Sequence, residues 1–339
     1  MNRQSNLGKY DRLSVFRSVC VCVVLSLLYA GCTYLGLTSS VDCAVEDRFY
    51  QESGVPDERI VVVGITADDM QLFPTWPWDR EPLVQAVRQL NDDPKQKPAA
   101  IGIDMVLSSE TDGEWDAELA QVCCETGNVV VACRALYDTR AFAAGANRTG
   151  SQTAENVLRP YKQLAAATFQ GHNNIICDGD GIVRRHLWRV QEERGNAVCS
   201  LAEQTYRLYC GYHKVDESFT PSLINNFWYL EYTAHPGAYL TYTLSDIYDG
   251  NFDPADLAGR IVLIGSYLAE DGESYATSID KVQRMYNVEY QANVLDAMLN
   301  HRDMAAVSDT VQATVLVFLV AILSYFLFHI SVFPGLCLY

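Results

Sequence analysis

Arg59-Ile60-Val61-Val62-Val63-Gly64-Ile65-Thr66 is an unbroken apolar run rich in β-branched side chains. A strand wet on one face alternates apolar and polar residues, whereas this run does not, so it reads as a strand buried on both faces. Working outward, Arg80–Leu90 places Leu83, Val84, Val87 and Leu90 at helical spacing. Ala100–Leu107 (AIGIDMVL) reads as a second buried strand, Glu114–Thr126 as a helix, and Asn128–Ala132 as a third strand. Further on come strand-like Val183–Val190, a helix over Ala197–Tyr209, strand-like Asn226–Thr233, the buried strand Arg260–Ser266, and a helix over Asn287–Leu299. Alternating helices and fully apolar strands imply an α/β domain with a mostly parallel sheet covered on both faces. The two aromatic-rich middle strands are expected as an antiparallel or edge addition. With no internal repeat and no low-complexity linker, residues 38–309 are expected to form one domain.

Both flanks of that domain are apolar. Val19 to Leu37 (VCVCVVLSLLYAGCTYLGL) carries no charge, and at 1.5 Å rise per residue it nearly spans a hydrocarbon layer of roughly 30 Å. Arg3, Lys9, Arg12 and Arg17 precede it against Asp11 alone, so residues 1–18 are expected in the cytoplasm and the domain outside the membrane. Ala30-Gly31-Cys32 also resembles a lipoprotein cleavage site, but Tyr29 stands where a Leu-like residue is wanted and the apolar stretch runs on past Cys32. An uncleaved anchor is the favoured reading. A second uncharged stretch, VQATVLVFLVAILSYFLF from Val311, predicts another span over residues 310–328. Residues 329–339 are apolar again and bend at Pro334-Gly335, reading as the start of a further membrane segment.

The chain carries 25 basic and 42 acidic side chains, a net charge of −17. Since the N-terminal tail is basic, the domain is more acidic still, which excludes nucleic acid as a partner. The acidity is that of a solvated surface, and no Asp/Asn/Gly run has calcium-loop spacing.

The order of several short motifs resembles the CHASE type-2 (CHASE2) domain, an extracellular sensory domain of bacterial signalling receptors. The matching residues are Val45-Glu46-Asp47-Arg48-Phe49, Pro56-Asp57-Glu58-Arg59-Ile60-Val61-Val62-Val63, Trp76-Pro77-Trp78-Asp79-Arg80 and Ile101-Gly102-Ile103-Asp104. Gly259-Arg260-Ile261-Val262-Leu263-Ile264-Gly265 and Val288-Glu289-Tyr290-Gln291-Ala292-Asn293-Val294-Leu295-Asp296 complete the series. The resemblance implies a sensory domain followed by three membrane helices and a cytoplasmic output domain. Two departures stand out: Tyr286-Asn287 and Gln291 occupy positions where Pro-Gly and His are usual, and an output domain is absent from these residues.

For a ligand site, pockets in open α/β sheets lie beyond the carboxyl ends of the strands. That rule selects Asp68, Asp69, Asp104, Ser108, Ser266 and Tyr267 as a rim. Trp76, Trp78 and Arg80 join it: Pro77 fixes the backbone between two indoles, and Asp79 is placed to cap the helix starting at Arg80. The cluster reads first as a packed corner, and alternatively as a pocket wall offering indole faces to an apolar or cationic group. Asp104, at the end of an apolar strand, must find a partner, with Arg80 the candidate, or shift its pKa.

Catalytic and cofactor motifs are missing from the sequence. No Gly-Lys-Ser/Thr follows Gly265 and no Gly-x-Ser-x-Gly elbow surrounds Ser266. The six histidines (His172, His186, His213, His235, His301, His329) form no i, i+3 or i+4 pair, which argues against a metal site. Of eleven cysteines, Cys20, Cys22, Cys32 and Cys337 lie in or beside apolar segments. The rest (Cys43, Cys123, Cys124, Cys133, Cys177, Cys199, Cys210) are odd in number and include an adjacent pair, so buried thiols compete with disulfides. No enzyme activity and no cofactor is expected. The leading expectation is a signal-input domain that binds an unknown extracellular ligand, with a homodimer mate or a separate cytoplasmic partner. The alternative is a membrane-anchored structural or interaction module without a small-molecule ligand.

Overall fold

The computed structural model describes residues 20–21, 23–29, 31–32, 47–48, 53–73, 80–111, 113–137, 153–193, 195–216, 219–269, 273–304 and 309–329. In chain order the strands are β1 (Ile60–Ile65), β2 (Ala100–Ile103), β3 (Val129–Leu136), β4 (Thr153–Ala154), β5 (Asn156–Leu158), β6 (Phe169–His172) and β7 (Ile182–Val183). They continue as β8 (Arg185–Leu187), β9 (Arg189–Glu192), β10 (Ala197–Cys199), β11 (Phe227–Tyr229), β12 (Leu240–Thr243), β13 (Ile261–Ser266), β14 (Ser274–Thr277) and β15 (Met285–Tyr286). The helices are α1 (Ala67–Leu72), α2 (Glu81–Leu90), α3 (Trp115–Thr126), α4 (Lys162–Ala167), α5 (Leu201–His213), α6 (Leu244–Asp249), α7 (Asn287–Leu299) and α8 (Asp309–His329).

The chain divides into two compact units, Asp47–Ala306 and a second made of the two terminal segments. In the larger unit seven strands form one sheet in the order β12-β1-β13-β2-β3-β5, with β6 also on β3. Every pairing in it is parallel except β3 with β5. The long apolar runs become its centre: all six residues of β1 and all four of β2 are buried. Successive side chains go to opposite faces. Val61, Val63, Ile65, Ile101, Ile103, Val262 and Ile264 pack against α2, α3 and α6, while Ile60, Val62, Ile261 and Leu263 pack against α5, α7 and the small-sheet region.

The aromatic-rich middle does not extend the main sheet as an edge. It forms three small sheets, β10-β9-β4, β11-β8 and β15-β14-β7. Phe227-Trp228-Tyr229 pair antiparallel with Leu187-His186-Arg185, as their aromatic composition suggests, but in a layer of their own. Two boundaries also move. The helix expected from Ala197 starts at Leu201, because Ala197–Cys199 pairs with β9 and the Ser200 side chain caps the helix through the Glu203 amide. The strand expected to stop at Ala132 runs to Leu136, because β3 exchanges β6 for β5 along one edge.

Gly171 shows how tightly α5 seats on this edge. A Cβ at that position would lie 2.6 Å from the Leu201 backbone and from the Ser200 carbonyl oxygen. Backbone at a helix start cannot swing aside as a side-chain tip does. Gly171→Ala is therefore expected to cost about 1–3 kcal/mol and to lower Tm by roughly 2–10 °C, read by circular dichroism; an unchanged Tm would mean that α5 can drift off β6.

At the termini, α8 spans 21 residues, and the described positions between Cys20 and Cys32 are helical. Counting only described residues, no helix is long and apolar enough to cross a membrane.

Candidate functional site

Asp104 lies where β2 ends, 4 % exposed. The expected ion pair with Arg80 is replaced: Arg80 Nε donates to Asp116 Oδ1 at 3.2 Å and its Nη2 to the Ser109 carbonyl at 2.9 Å. Asp116 also accepts from the Thr111 amide and hydroxyl. Arg80 thus ties the start of α2 to α3 on the opposite helical layer from α7. Trp76 and Trp78, with Asp79, fall outside the described residues; the cap position of α2 is Arg80, without a side-chain cap bond.

Asp104 makes no ion pair among the described residues. Its Oδ1 accepts from Asn173 Nδ2 at 2.8 Å, just past β6, and from Asn287 Nδ2 at 3.4 Å, in the first turn of α7. Arg134 and Glu273 lie nearby, paired with each other at 2.5 Å, and Arg134 Nε also reaches Asn173 Oδ1. Burial pushes the Asp104 carboxyl up to about 8, against the opposing effect of the Asn173 hydrogen bond. An acid whose folded pKa is raised stabilises the fold below the unfolded value near 3.8 and withdraws that stability as pH rises towards 8. Asp104→Asn should therefore flatten the decline in urea-unfolding stability between pH 5 and 8. An equally steep decline in the variant would assign the pH dependence to another group.

The other rim residues separate. Asp68 and Ser108 are exposed. Asp69 is fully buried and serves as a double cap: its Oδ2 accepts from the Thr66 amide and hydroxyl, and its Oδ1 accepts from the Ser245 amide in α6. Ser266 Oγ accepts from the Leu268 amide at 3.0 Å. The Tyr267 ring covers Gly64, where a Cβ would come within 2.6 Å of it, and meets the Tyr286 ring at 4.8 Å between centroids. Burial first, and the Glu289 carboxylate second, push its phenol far above the usual range. Asp104, Ser266 and Tyr267 thus gather around the start of α7, while Asp69 and Arg80 support the other face of the sheet.

Sequence reasoning missed α7 as the organising element. All thirteen of its residues are buried, five of them polar or charged. Glu289 accepts from the Gly237 and Tyr286 amides, and Asn293 Oδ1 accepts from the Thr233 and Ala234 amides. Asp296 accepts from the Asp57 amide, the Tyr239 hydroxyl and Arg302. Gly265 permits this closeness, since a Cβ there would sit 2.6 Å from Val288 Cβ and 3.3 Å from Asp104 Cβ. His172 and His186 were also missed: fourteen residues apart in sequence, their rings stack with centroids 6.3 Å apart.

Among the described residues no group of three or more His, Cys, Asp or Glu side chains could hold a metal ion. The described cysteines are free thiols, with Cys123, Cys133 and Cys210 buried. Burial pushes the Cys123 thiol up to about 12 and that of Cys133 up to about 11, the opposite of an activated nucleophile.

A family model described as the CHASE2 domain matches residues 19–327. The chain belongs to the CHASE2 domain family, a sensory domain family found in signalling proteins. No curated protein and no solved structure matches the chain.

Proposed function

We propose that the chain is the extracytoplasmic signal-input domain of a membrane-bound bacterial signal-transduction protein. It is held in the cell membrane by residues 19–37 and 310–328, with the N-terminus in the cytoplasm. The observation that carries this reading is the span of the family match, which starts at the first apolar segment and reaches into the second. The basic residues ahead of Val19 support the orientation. Ligand recognition is assigned to the carboxyl edge of the sheet: Asp68, Asp69, Trp76, Trp78, Arg80, Asp104, Ser108, Ser266 and Tyr267. Of these, Asp104, Ser266 and Tyr267 border α7, so a ligand with different affinity for two α7 positions can bias the segment that follows it in sequence. Output passes through a homodimer mate or a cytoplasmic signalling partner.

The test inserts an epitope at Val282, which is 94 % exposed, in chain expressed in bacterial cells. Antibody should bind intact spheroplasts, and the chain should stay with membranes through alkaline carbonate. Epitope reached only after lysis, or release of the chain by carbonate, would overturn the reading. One observation favours the alternative, an interaction module without a small-molecule ligand. An open groove of about 450 Å3 is lined by Val55, Asp57, Leu240 and Arg260 at the opposite edge of the sheet. Co-purification of a stoichiometric protein that is lost on Leu240→Glu would favour that alternative.

A further inference from the structure

Five buried polar atoms on four residues have no hydrogen-bond partner among the described residues: His172 Nδ1 and Nε2, His186 Nε2, Trp228 Nε1 and Gln291 Oε1. Their four residues are each 0 % exposed. Native interiors leave few such atoms unsatisfied, and each one left so costs about 1–3 kcal/mol. Their grouping is what gives them meaning. His186 and Trp228 face each other across the β8–β11 pair, and their rings meet edge-on at 6.3 Å. His172 stacks on the other side of His186, also at 6.3 Å. His186 Nδ1 is bonded to the Tyr290 hydroxyl at 2.9 Å, which joins the group to α7. Gln291 follows Tyr290, and its Nε2 reaches back to Asn287 Oδ1 at 3.5 Å. Asn287 Nδ2 in turn points to the Asn173 carbonyl, next to His172. His172 also lies against the Trp188 backbone.

The chemistry of these atoms selects the occupant. Trp228 Nε1 can only donate, Gln291 Oε1 can only accept, and a neutral imidazole offers one of each. A cation leaves the indole N–H unanswered, and an anion leaves the Gln291 oxygen unanswered. Among the described residues no carboxylate bonds to any of the four side chains to compensate an ion. We infer that His172, His186, Trp228 and Gln291 form an internal binding site for a small uncharged molecule that both donates and accepts hydrogen bonds. Solvent water and a small organic solute share that chemistry. The occupant sits where α7 meets the small-sheet layer, joined to Asp104 of the rim through Asn287 and Asn173. It lets a fully buried polar helix exchange hydrogen bonds with a mobile molecule rather than with fixed side chains.

The test uses the full chain in detergent and its Gln291→Leu variant. Oxygen-17 magnetic relaxation dispersion counts long-lived internal waters, and mass spectrometry of an organic extract detects a stoichiometric solute. Loss of one or more long-lived waters in the variant supports the site with solvent as occupant. A neutral solute extracted from the unmodified chain but not from the variant supports it with an organic occupant. Identical water counts and no solute in either protein overturn it. If Gln291→Leu does not fold, the crystal structure of the unmodified chain decides. Density within hydrogen-bond distance of two or more of the five atoms supports the site, and direct pairing of these side chains with one another overturns it.

Discussion

Arg184→Met is expected to destabilise the larger unit by about 3–5 kcal/mol, the cost of leaving buried carboxylates without their cation. Arg184 is 5 % exposed and grips Asp47 through two bonds, Nε to Oδ1 at 2.8 Å and Nη2 to Oδ2 at 2.9 Å. It also donates to Asp178 at 3.0 Å and to Asp180 at 2.7 Å. Lys281 adds a bond to Asp47 at 2.8 Å. Burial alone would raise the Asp47 carboxyl, but Arg184 and Lys281 outweigh it and hold it below its ordinary value. Methionine keeps much of the stem volume while removing every donor, so the loss reports charge more than packing. Urea unfolding should show the midpoint fall with an unchanged slope. Adding Asp47→Asn to Arg184→Met should then cost little or restore part of the loss, since the uncompensated charge is gone. Fully additive losses would mean that Arg184 and Asp47 act independently. Because Asp47 opens the larger unit, this pair fixes where the chain enters the domain.

Acid should unfold the same unit well before its surface carboxylates are protonated. His172 and His186 are fully buried, and burial holds His172 down at about 4 and His186 at about 3, the latter also disfavoured by its neighbour His172. Unfolded histidine binds a proton near 6.5, so the unfolded chain takes up protons that the fold refuses. Stability is full above about pH 6.5 and drains as pH falls towards 4, by several kcal/mol for the pair. His186→Phe should shift the acid-unfolding midpoint downward by roughly 0.5–1 pH unit while retaining the stack on His172 and the edge-on contact with Trp228. An unchanged midpoint would place the acid sensitivity elsewhere. With Asp104 acting in the opposite sense, the stability maximum is expected near pH 6, and each flank should respond to a different substitution.

The main sheet was legible because burial on two faces leaves a mark on composition itself: Ile60–Ile65 and Ile261–Ser266 have no polar position to obscure. α7 was legible as a helix, ending at the residues expected, but not as the centre of the site. Its buried Asn287, Gln291, Asn293 and Asp296 look in sequence like solvated positions, and only tertiary partners distinguish the two. Ser200 and Glu203 carried a readable helix-start signal that the apolar pattern from Ala197 overrode. Arg80 found Asp116 rather than Asp104 because helix packing, not strand adjacency, set its neighbours. His172 ends β6 of the main sheet whereas His186 lies in the small β8–β11 sheet, so no local spacing could pair them.

The placement of β13 between β1 and β2 has a consequence for how the protein is made. Two strands near the start of the domain are joined into one sheet only through a strand near its end that pairs with both. During synthesis, Ile103 must wait for its β13 partner Ile264, on the order of 10–30 seconds at about 5–20 residues per second. Until β12 and β13 emerge, β1 has no partner strand and β2 can pair only with β3. A chain pausing in this state presents open strand edges to its neighbours. Its yield should therefore depend more on holding factors met during elongation than on the stability of the finished fold.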